Sequence, residues 1–90
     1  MVSILWVDDE IDLLKPHIIY LNQKGYNVQS SRSGDEALDL LKLETFDLIF
    51  LDENMTGLSG LETLALIKEK YPRVPVIMIT KNEEESIMDE

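Results

Sequence analysis

The sequence predicts an α/β domain in which parallel strands form a doubly wound sheet with helices on both faces. Short aliphatic runs recur along the 90 residues, separated by longer stretches with apolar residues at three- and four-residue spacing. This alternation is typical of βαβ units with right-handed crossovers. Acidic residues directly follow two of the aliphatic runs. Because ligands bind beside the carboxyl ends of such strands, these acids indicate a functional edge.

The first strand is predicted at residues 3–7, because an almost continuous apolar run is typical of a strand buried on both faces. A helix is predicted over residues 10–24, with Gly25 as its C-cap, from the spacing of four apolar residues: Ile11, Leu14, Ile18 and Leu21. Pro16 lies inside this range and is expected to kink the helix, at a cost of about 3 kcal/mol if unrelieved. Residues 26–31 alternate sufficiently to form the second strand.

A turn at Ser33-Gly34 leads into a second helix over residues 35–43, and the third strand is predicted at residues 47–51. After a polar loop, Ser59 is expected to cap a third helix. Its predicted inward face consists of Leu61, Leu64, Ala65 and Ile67. Residues 76–79 form the fourth strand, and Asn82 with three following glutamates is expected to begin another helix.

Polar residues follow three of these strands. Asp8 and Asp9 come after the first, Asp52 after the third and Thr80 after the fourth. Acids brought together at one edge repel one another unless a cation lies among them, and oxygen ligands favour a hard divalent ion such as Mg²⁺. Each acid taken singly has an alternative interpretation as a helix cap or turn residue. Together they predict a site for phosphate chemistry.

Composition narrows the function classes. With 8 basic and 18 acidic residues, the net charge of −10 disfavours direct binding of nucleic acid by this segment. The absence of cysteine excludes disulfides and thiolate zinc sites, and one histidine, His17, excludes a histidine-rich metal centre. No apolar run approaches the roughly 18 residues of a membrane span, and the first residues do not resemble a signal peptide. We therefore expect one small cytoplasmic domain.

Three runs carry a family resemblance: ILWVDDE at residues 4–10, FDLIFLD at residues 46–52 with Met55 and Gly57 after it, and PVIMIT at residues 75–80. Together they resemble the receiver domain of response regulators in two-component phosphorelay systems. The resemblance covers essentially the whole chain. It implies a CheY-like, flavodoxin-like sheet with strand order 2-1-3-4, in one receiver domain spanning residues 1–90.

The resemblance also implies roles for individual residues. Asp52 would be the phosphoacceptor, supplied by a sensor histidine kinase or a phosphotransfer protein. Mg²⁺ would be bound by Asp9 and Asp52 directly, by Asp8 through water and by the main-chain carbonyl of Asn54. Thr80 would be the switch hydroxyl that hydrogen-bonds the phosphoryl group and signals to the following loop and helix. The output would normally come from an effector domain C-terminal to the receiver.

Two positions depart from the family pattern. Position 56 is usually proline and is Thr56 here, which leaves the loop after the phosphoacceptor less preset. The residue after the switch threonine is usually small and is Lys81 here. Lys81 would be a modulator that screens the acyl phosphate from water. The alternative is a lysine that points into solvent.

The carboxyl end departs further, because receiver domains continue through a fifth strand, with its phosphoryl-pairing lysine, and a fifth helix. On this interpretation the domain is incomplete at its C-terminus, and no lysine is assigned that role. The fourth strand would then be an apolar edge, which favours a homodimer or an exchange of elements. The alternative is a boundary that falls in a flexible region.

Two rival functions remain. A phosphohydrolase of the haloacid dehalogenase kind needs an aspartate two residues after its nucleophile, whereas Glu10 and Asn54 stand at that spacing from Asp8 and Asp52. A phosphorylation-independent interaction module would normally lack one of the acids or the switch hydroxyl.

More narrowly, residues 51–55 and 78–90 resemble the receivers of PorX-type Bacteroidota regulators, which carry a PglZ effector domain.

Overall fold

The computed structural model describes residues 1–80. Its elements, in chain order, are β1 (Ser3–Val7), a short 3-10 helix (Ile11–Leu14), α1 (Lys15–Gln23), β2 (Asn27–Ser31), α2 (Gly34–Leu43), β3 (Leu48–Asp52), α3 (Gly60–Lys70) and β4 (Val76–Ile79). The helix expected to begin at Asn82 lies outside the described residues. Within them, no helix is both long and apolar enough to cross a bilayer.

The strands form one parallel sheet in the order β2-β1-β3-β4. This confirms the predicted α/β fold and the order 2-1-3-4. Parallel strands need crossover connections, and here α1, α2 and α3 supply them. In the central pair, Val7 is aligned with Leu51, so both strands end at the same edge of the sheet.

The main core lies between the sheet and the helices α2 and α3. Alternate residues of the central strands point into it and are almost fully buried: Leu5, Val7, Ile49 and Leu51. Ala37, Leu41 and Ile67 cover them from the helices. The intervening strand positions point to the opposite face, where the rings of Trp6 and Phe50 meet edge to face at 4.9 Å. The two faces thus account for the nearly unbroken apolar runs.

The first helix differs from its prediction. Instead of one kinked helix, the chain forms a 3-10 helix at Ile11–Leu14 and then α1, in which Pro16 is the second residue. Proline is tolerated in a first helical turn because the N–H there has no partner within the helix. The predicted kink within the helix is therefore wrong. The C-terminal prediction holds, because Gly25 adopts a φ of 100° just beyond the helix.

The bounds of β1 and β4 match the predictions, and those of β2, α2 and β3 differ from them by one residue, with one difference that concerns the site. Asp52 is the last residue of β3, whereas the sequence predicts it directly after the end of the strand. In α3, Ser59 caps the helix as expected and forms a capping box with Glu62. The predicted inward face of α3 is partly wrong, because Leu61 is 59% exposed and Ala65 is also exposed, whereas Thr63 is fully buried.

Candidate functional site

The sheet delivers three aspartates to one edge. Asp8 and Asp9 directly follow β1, and Asp52 ends the neighbouring strand β3. Asp8 is 1% exposed and Asp52 is fully buried. Acids are almost never buried to this degree without a partner, because transfer of a carboxylate from water costs several kcal/mol. Two buried acids at the ends of adjacent strands therefore form a candidate site, at the edge of the sheet where the sequence predicts these residues.

Local hydrogen bonds turn the chain away from the sheet at both strand ends. The Asp8 Oδ1 atom accepts a bond from the Glu10 N–H at 2.8 Å, and the Asp52 Oδ1 atom accepts one from the Asn54 N–H at 3.2 Å. Both link a side chain to the main chain two residues on, as in Asx turns. These turns hold one oxygen of each buried carboxylate. Asn54 itself is exposed, in the loop that follows β3.

A longer-range bond joins the two strand ends through a loop. The Thr56 N–H donates to Asp9 Oδ2 at 3.3 Å, although the two residues are 47 positions apart. Asp9 is half-buried and Thr56 is exposed. The loop between β3 and α3 thus contacts one of the acids that follow β1.

Donor chemistry at this edge fits a hard divalent cation. Asp8, Asp9 and Glu10 each offer a carboxylate oxygen, and these atoms all lie within 4.8 Å of one another. Oxygen ligands of this kind are those that Mg²⁺ prefers. Asp52 stands outside this close group, on the neighbouring strand. Glu10 is exposed, and the sequence predicts it only as the start of a helix, although it directly follows Asp8 and Asp9.

The first turn of α3 closes the loop behind Asp52. The Gly60 N–H donates to the carbonyl of Glu53 at 3.0 Å, and the capping box of Ser59 and Glu62 fixes the start of the helix. The Thr63 hydroxyl donates to the Ser59 carbonyl at 2.8 Å. The loop between β3 and α3 is therefore tied at its base, with Thr56 and Gly57 at its outer end.

Thr80 follows β4 directly, and the pairing of Asp52 with Ile79 places it at the same edge as the acids. The Thr80 side chain is half-buried. Lys81 lies outside the described residues. His17 is exposed on α1, away from this edge.

A surface cleft of about 350 Å³ occurs elsewhere, beside the 3-10 helix, α1 and β2. It includes none of the predicted site residues. Its charged groups, Asp12, Lys15, Arg32 and Glu36, compensate one another in sign, and Arg32 already contacts Asp12 at 2.9 Å. The predicted site residues therefore lie at the strand ends and not in this cleft.

Comparison with known families and proteins gives a consistent result. The family described as "Response regulator receiver domain" matches residues 4–90. The chain is 42% identical over 80 residues to the nitrogen assimilation regulatory protein NtrX of Azorhizobium caulinodans, covering 87% of this chain and 18% of that protein. It is 39% identical over 85 residues to a CpxR homolog of Haemophilus influenzae, covering 94% and 37%. The chain thus spans well under half of these regulators.

Solved structures agree with the fold. The chemotaxis protein CheY4 of Vibrio cholerae superposes with a TM-score of 0.81 at 30% identity, covering 96% of this chain and 76% of the other. The response regulator TrrA, solved in complex with the histidine kinase ThkA, is a further neighbour, with a TM-score of 0.82 and 34% identity over 90% of this chain and 70% of the other. Thermotoga maritima TrrA was also solved with Mg²⁺ and BeF, and matches with a TM-score of 0.75 and 26% identity over 99% and 96%.

Proposed function

Because the chain belongs to the response regulator receiver family of two-component systems, we propose that it accepts a phosphoryl group on Asp52 and signals through Thr80. The observation that carries the proposal is the position of Asp52, fully buried at the end of β3 beside the acids that follow β1. A receiver needs one carboxylate nucleophile and neighbouring acids that hold a cation. Asp52, Asp8 and Asp9 meet that requirement at one edge.

The donor is a phosphohistidine of a sensor kinase or of a phosphotransfer protein. An oxygen of Asp52 forms the new P–O bond, the P–N bond to the donor breaks, and the released imidazole keeps the electron pair and takes a proton from water. The hydrogen bond from the Asn54 N–H to Asp52 Oδ1 orients the carboxylate for attack on the phosphorus atom. In support, the neighbour TrrA was solved bound to a histidine kinase.

Asp8, Asp9 and Asp52, with the main-chain carbonyl of Asn54, are the proposed ligands of Mg²⁺. When bound, the ion supplies positive charge that offsets the negative charge on the transferring phosphoryl oxygens. The support is the oxygen-rich donor set after β1 and the Mg²⁺ reported with TrrA. Within the chain, Asp8 is 1% exposed and begins the run of acids at residues 8–10, and a bound cation would offset part of the cost of burying its charge.

Thr80 is proposed as the switch, because its place after β4 puts a hydroxyl at the edge that holds Asp52. Phosphorylation adds about −1.5 to −2 charge, which a hydroxyl donor at this position stabilises and which biases the segment after β4. Lys81 is proposed as a modulator of the acyl-phosphate lifetime. The effector would lie C-terminal to the receiver, and the whole would act in the cytoplasm.

The test is phosphorylation of the 90-residue chain by acetyl phosphate with Mg²⁺, followed by intact-mass spectrometry. We expect one phosphoryl adduct on the wild-type chain and none on Asp52→Asn. Asp39→Asn, an exposed acid on α2, is the matched control and should be phosphorylated normally. Equal labelling of wild-type and Asp52→Asn chains would contradict the proposal. Lys81→Ala should alter the half-life of the adduct without preventing its formation.

A second candidate is a phosphorylation-independent interaction module that dimerises through β4. The observation in its favour is that β4 is an edge strand of the described sheet, with Ile77 48% exposed. Light scattering at micromolar concentration distinguishes the two: a dimer formed equally by Asp52→Asn supports the module, and a monomer excludes it. The PorX-type assignment stays a prediction, which the sequence downstream in the parent gene would decide.

A further inference from the structure

One hydrogen bond links the end of β1 to the loop between β3 and α3. The main-chain N–H of Thr56 donates to Asp9 Oδ2 at 3.3 Å. A charged acceptor strengthens a hydrogen bond, and this bond lies at the long end of the usual range, so it restrains the side chain of Asp9 weakly. Among the clustered acids Asp8, Asp9 and Glu10, Asp9 is the half-buried one, and the Thr56 N–H contacts one of its two carboxylate oxygens.

The donor is held in place by the loop and not by its own side chain. The Gly60 N–H closes the base of the loop on the Glu53 carbonyl at 3.0 Å. Gly57 makes the turn at its outer end with a φ of 76°, a conformation that glycine adopts at little cost. The position of the Thr56 amide is therefore a property of the closed loop, which begins at the phosphoacceptor strand.

We propose that Thr56 is a positioning residue whose main-chain N–H orients the Asp9 carboxylate for a divalent cation. The inference rests on the proposed function, because it assigns Asp9 as a cation ligand. The N–H engages one oxygen, offsets part of the repulsion from Asp8 and Glu10, and leaves the other oxygen for the cation. Donors that contact a ligand from outside the coordination sphere orient metal ligands in this way. Cation binding and the β3–α3 loop are thereby coupled.

The threonine side chain plays no part in this role, which provides a matched pair of variants. Alanine keeps the N–H and removes the hydroxyl and methyl groups. Proline, the residue that family members usually have here, has no N–H and cannot make the bond. Thr56→Ala should therefore behave as the wild type, and Thr56→Pro should lose the restraint on Asp9.

The first test is calorimetric titration of the 90-residue chain with MgCl₂ at constant ionic strength. We expect Thr56→Pro to bind Mg²⁺ roughly three- to tenfold more weakly than Thr56→Ala, as for the loss of one hydrogen bond to a charged group. Equal affinities in all three chains would overturn the inference and leave the proposed function intact. A wild-type chain that binds no Mg²⁺ would overturn both.

Proline also restricts the backbone, so a second measurement avoids it. Amide hydrogen exchange of Thr56 is followed by NMR in the metal-free wild-type chain and in Asp9→Ala. We expect exchange at Thr56 to accelerate roughly three- to tenfold in the variant, with the amide of Leu51 in the core unchanged. An unchanged rate at Thr56 would show that Asp9 does not accept its hydrogen bond and would reject the inference.

Discussion

A β carbon built on Gly60 would lie 2.3 Å from the carbonyl oxygen of Asp52 and 2.6 Å from the Cα atom of Glu53. Both contacts are with main-chain atoms, which cannot rotate away. The start of α3 therefore packs directly against the end of β3, with no side chain between them. This close approach fixes where the proposed phosphoacceptor ends its strand, and glycine is the residue that permits it.

Gly60→Ala should consequently destabilise the chain and disturb the site together. We expect the free energy of unfolding to fall by about 1 to 3 kcal/mol, the usual cost of forcing extra volume into a packed region. Acetyl-phosphate labelling of Asp52 should slow in the folded variant. Gly25→Ala is the control, because a β carbon there meets nothing within 4 Å and only the φ of 100° is unfavourable. It should lose stability by urea denaturation but label at the wild-type rate.

The features that the sequence predicted well are those set by local pattern. β1 and β4 were predicted to the residue, because an unbroken apolar run in a βαβ chain has few other interpretations. The shared edge of Asp8 and Asp52 follows from the same reasoning, since parallel strands align their carboxyl ends. Local capping was equally readable, as Ser59 and Gly25 show.

The features that were missed depend on contacts between distant residues. Nothing near Thr56 in the sequence indicates a bond to Asp9, 47 positions away. Thr63 was not expected in the interior, but its hydroxyl finds an acceptor in the preceding turn, which permits burial. The sequence predicts Pro16 inside a helix because the apolar spacing continues unchanged through the 3-10 helix, and nothing in that spacing distinguishes a 3-10 helix from an α-helix.

The core between the sheet and the helices should dominate stability. Leu51 is fully buried one residue before Asp52, whereas Leu43 at the end of α2 is 80% exposed. We expect Leu51→Ala to lower the free energy of unfolding by about 2 to 5 kcal/mol and Leu43→Ala by less than about 0.5 kcal/mol. Equilibrium urea denaturation measures both. A similar cost for the two variants would mean that the sheet does not pack on α2 and α3 as described.

Trp6 should be replaceable by phenylalanine at low cost. Its indole Nε1 atom is buried and finds no acceptor within residues 1–80. Removal of a buried unsatisfied donor stabilises the folded state by about 1 to 3 kcal/mol, and this offsets the apolar burial that is lost with the smaller phenyl ring. We therefore expect Trp6→Phe to cost less in urea denaturation than Phe50→Leu, which breaks the same ring pair and carries no such gain. The reverse order would reveal an acceptor for the indole from another part of the protein.

The acids at residues 8–10 should lower the stability of the metal-free chain and allow it to bind a cation. Carboxylate oxygens of Asp8, Asp9 and Glu10 lie within 4.8 Å of one another, so their charges repel in the absence of a cation. Asp9→Asn keeps an oxygen acceptor for Thr56 and removes one charge, and it should raise the melting temperature of the metal-free chain by the equivalent of roughly 1 kcal/mol.

Addition of Mg²⁺ should then make the melting temperature of the wild type higher than that of Asp9→Asn. A ligand that binds only the folded state at 100 times its dissociation constant stabilises it by about 2.7 kcal/mol, and the wild type should show this rise whereas Asp9→Asn should not. Asp39→Asn removes an equal charge from α2, far from the strand ends, and should keep the full Mg²⁺ response. Thermal melts with MgCl₂ and with EDTA measure all three chains. If Asp9→Asn and Asp39→Asn respond alike, net charge and not a cation site at Asp9 governs the effect.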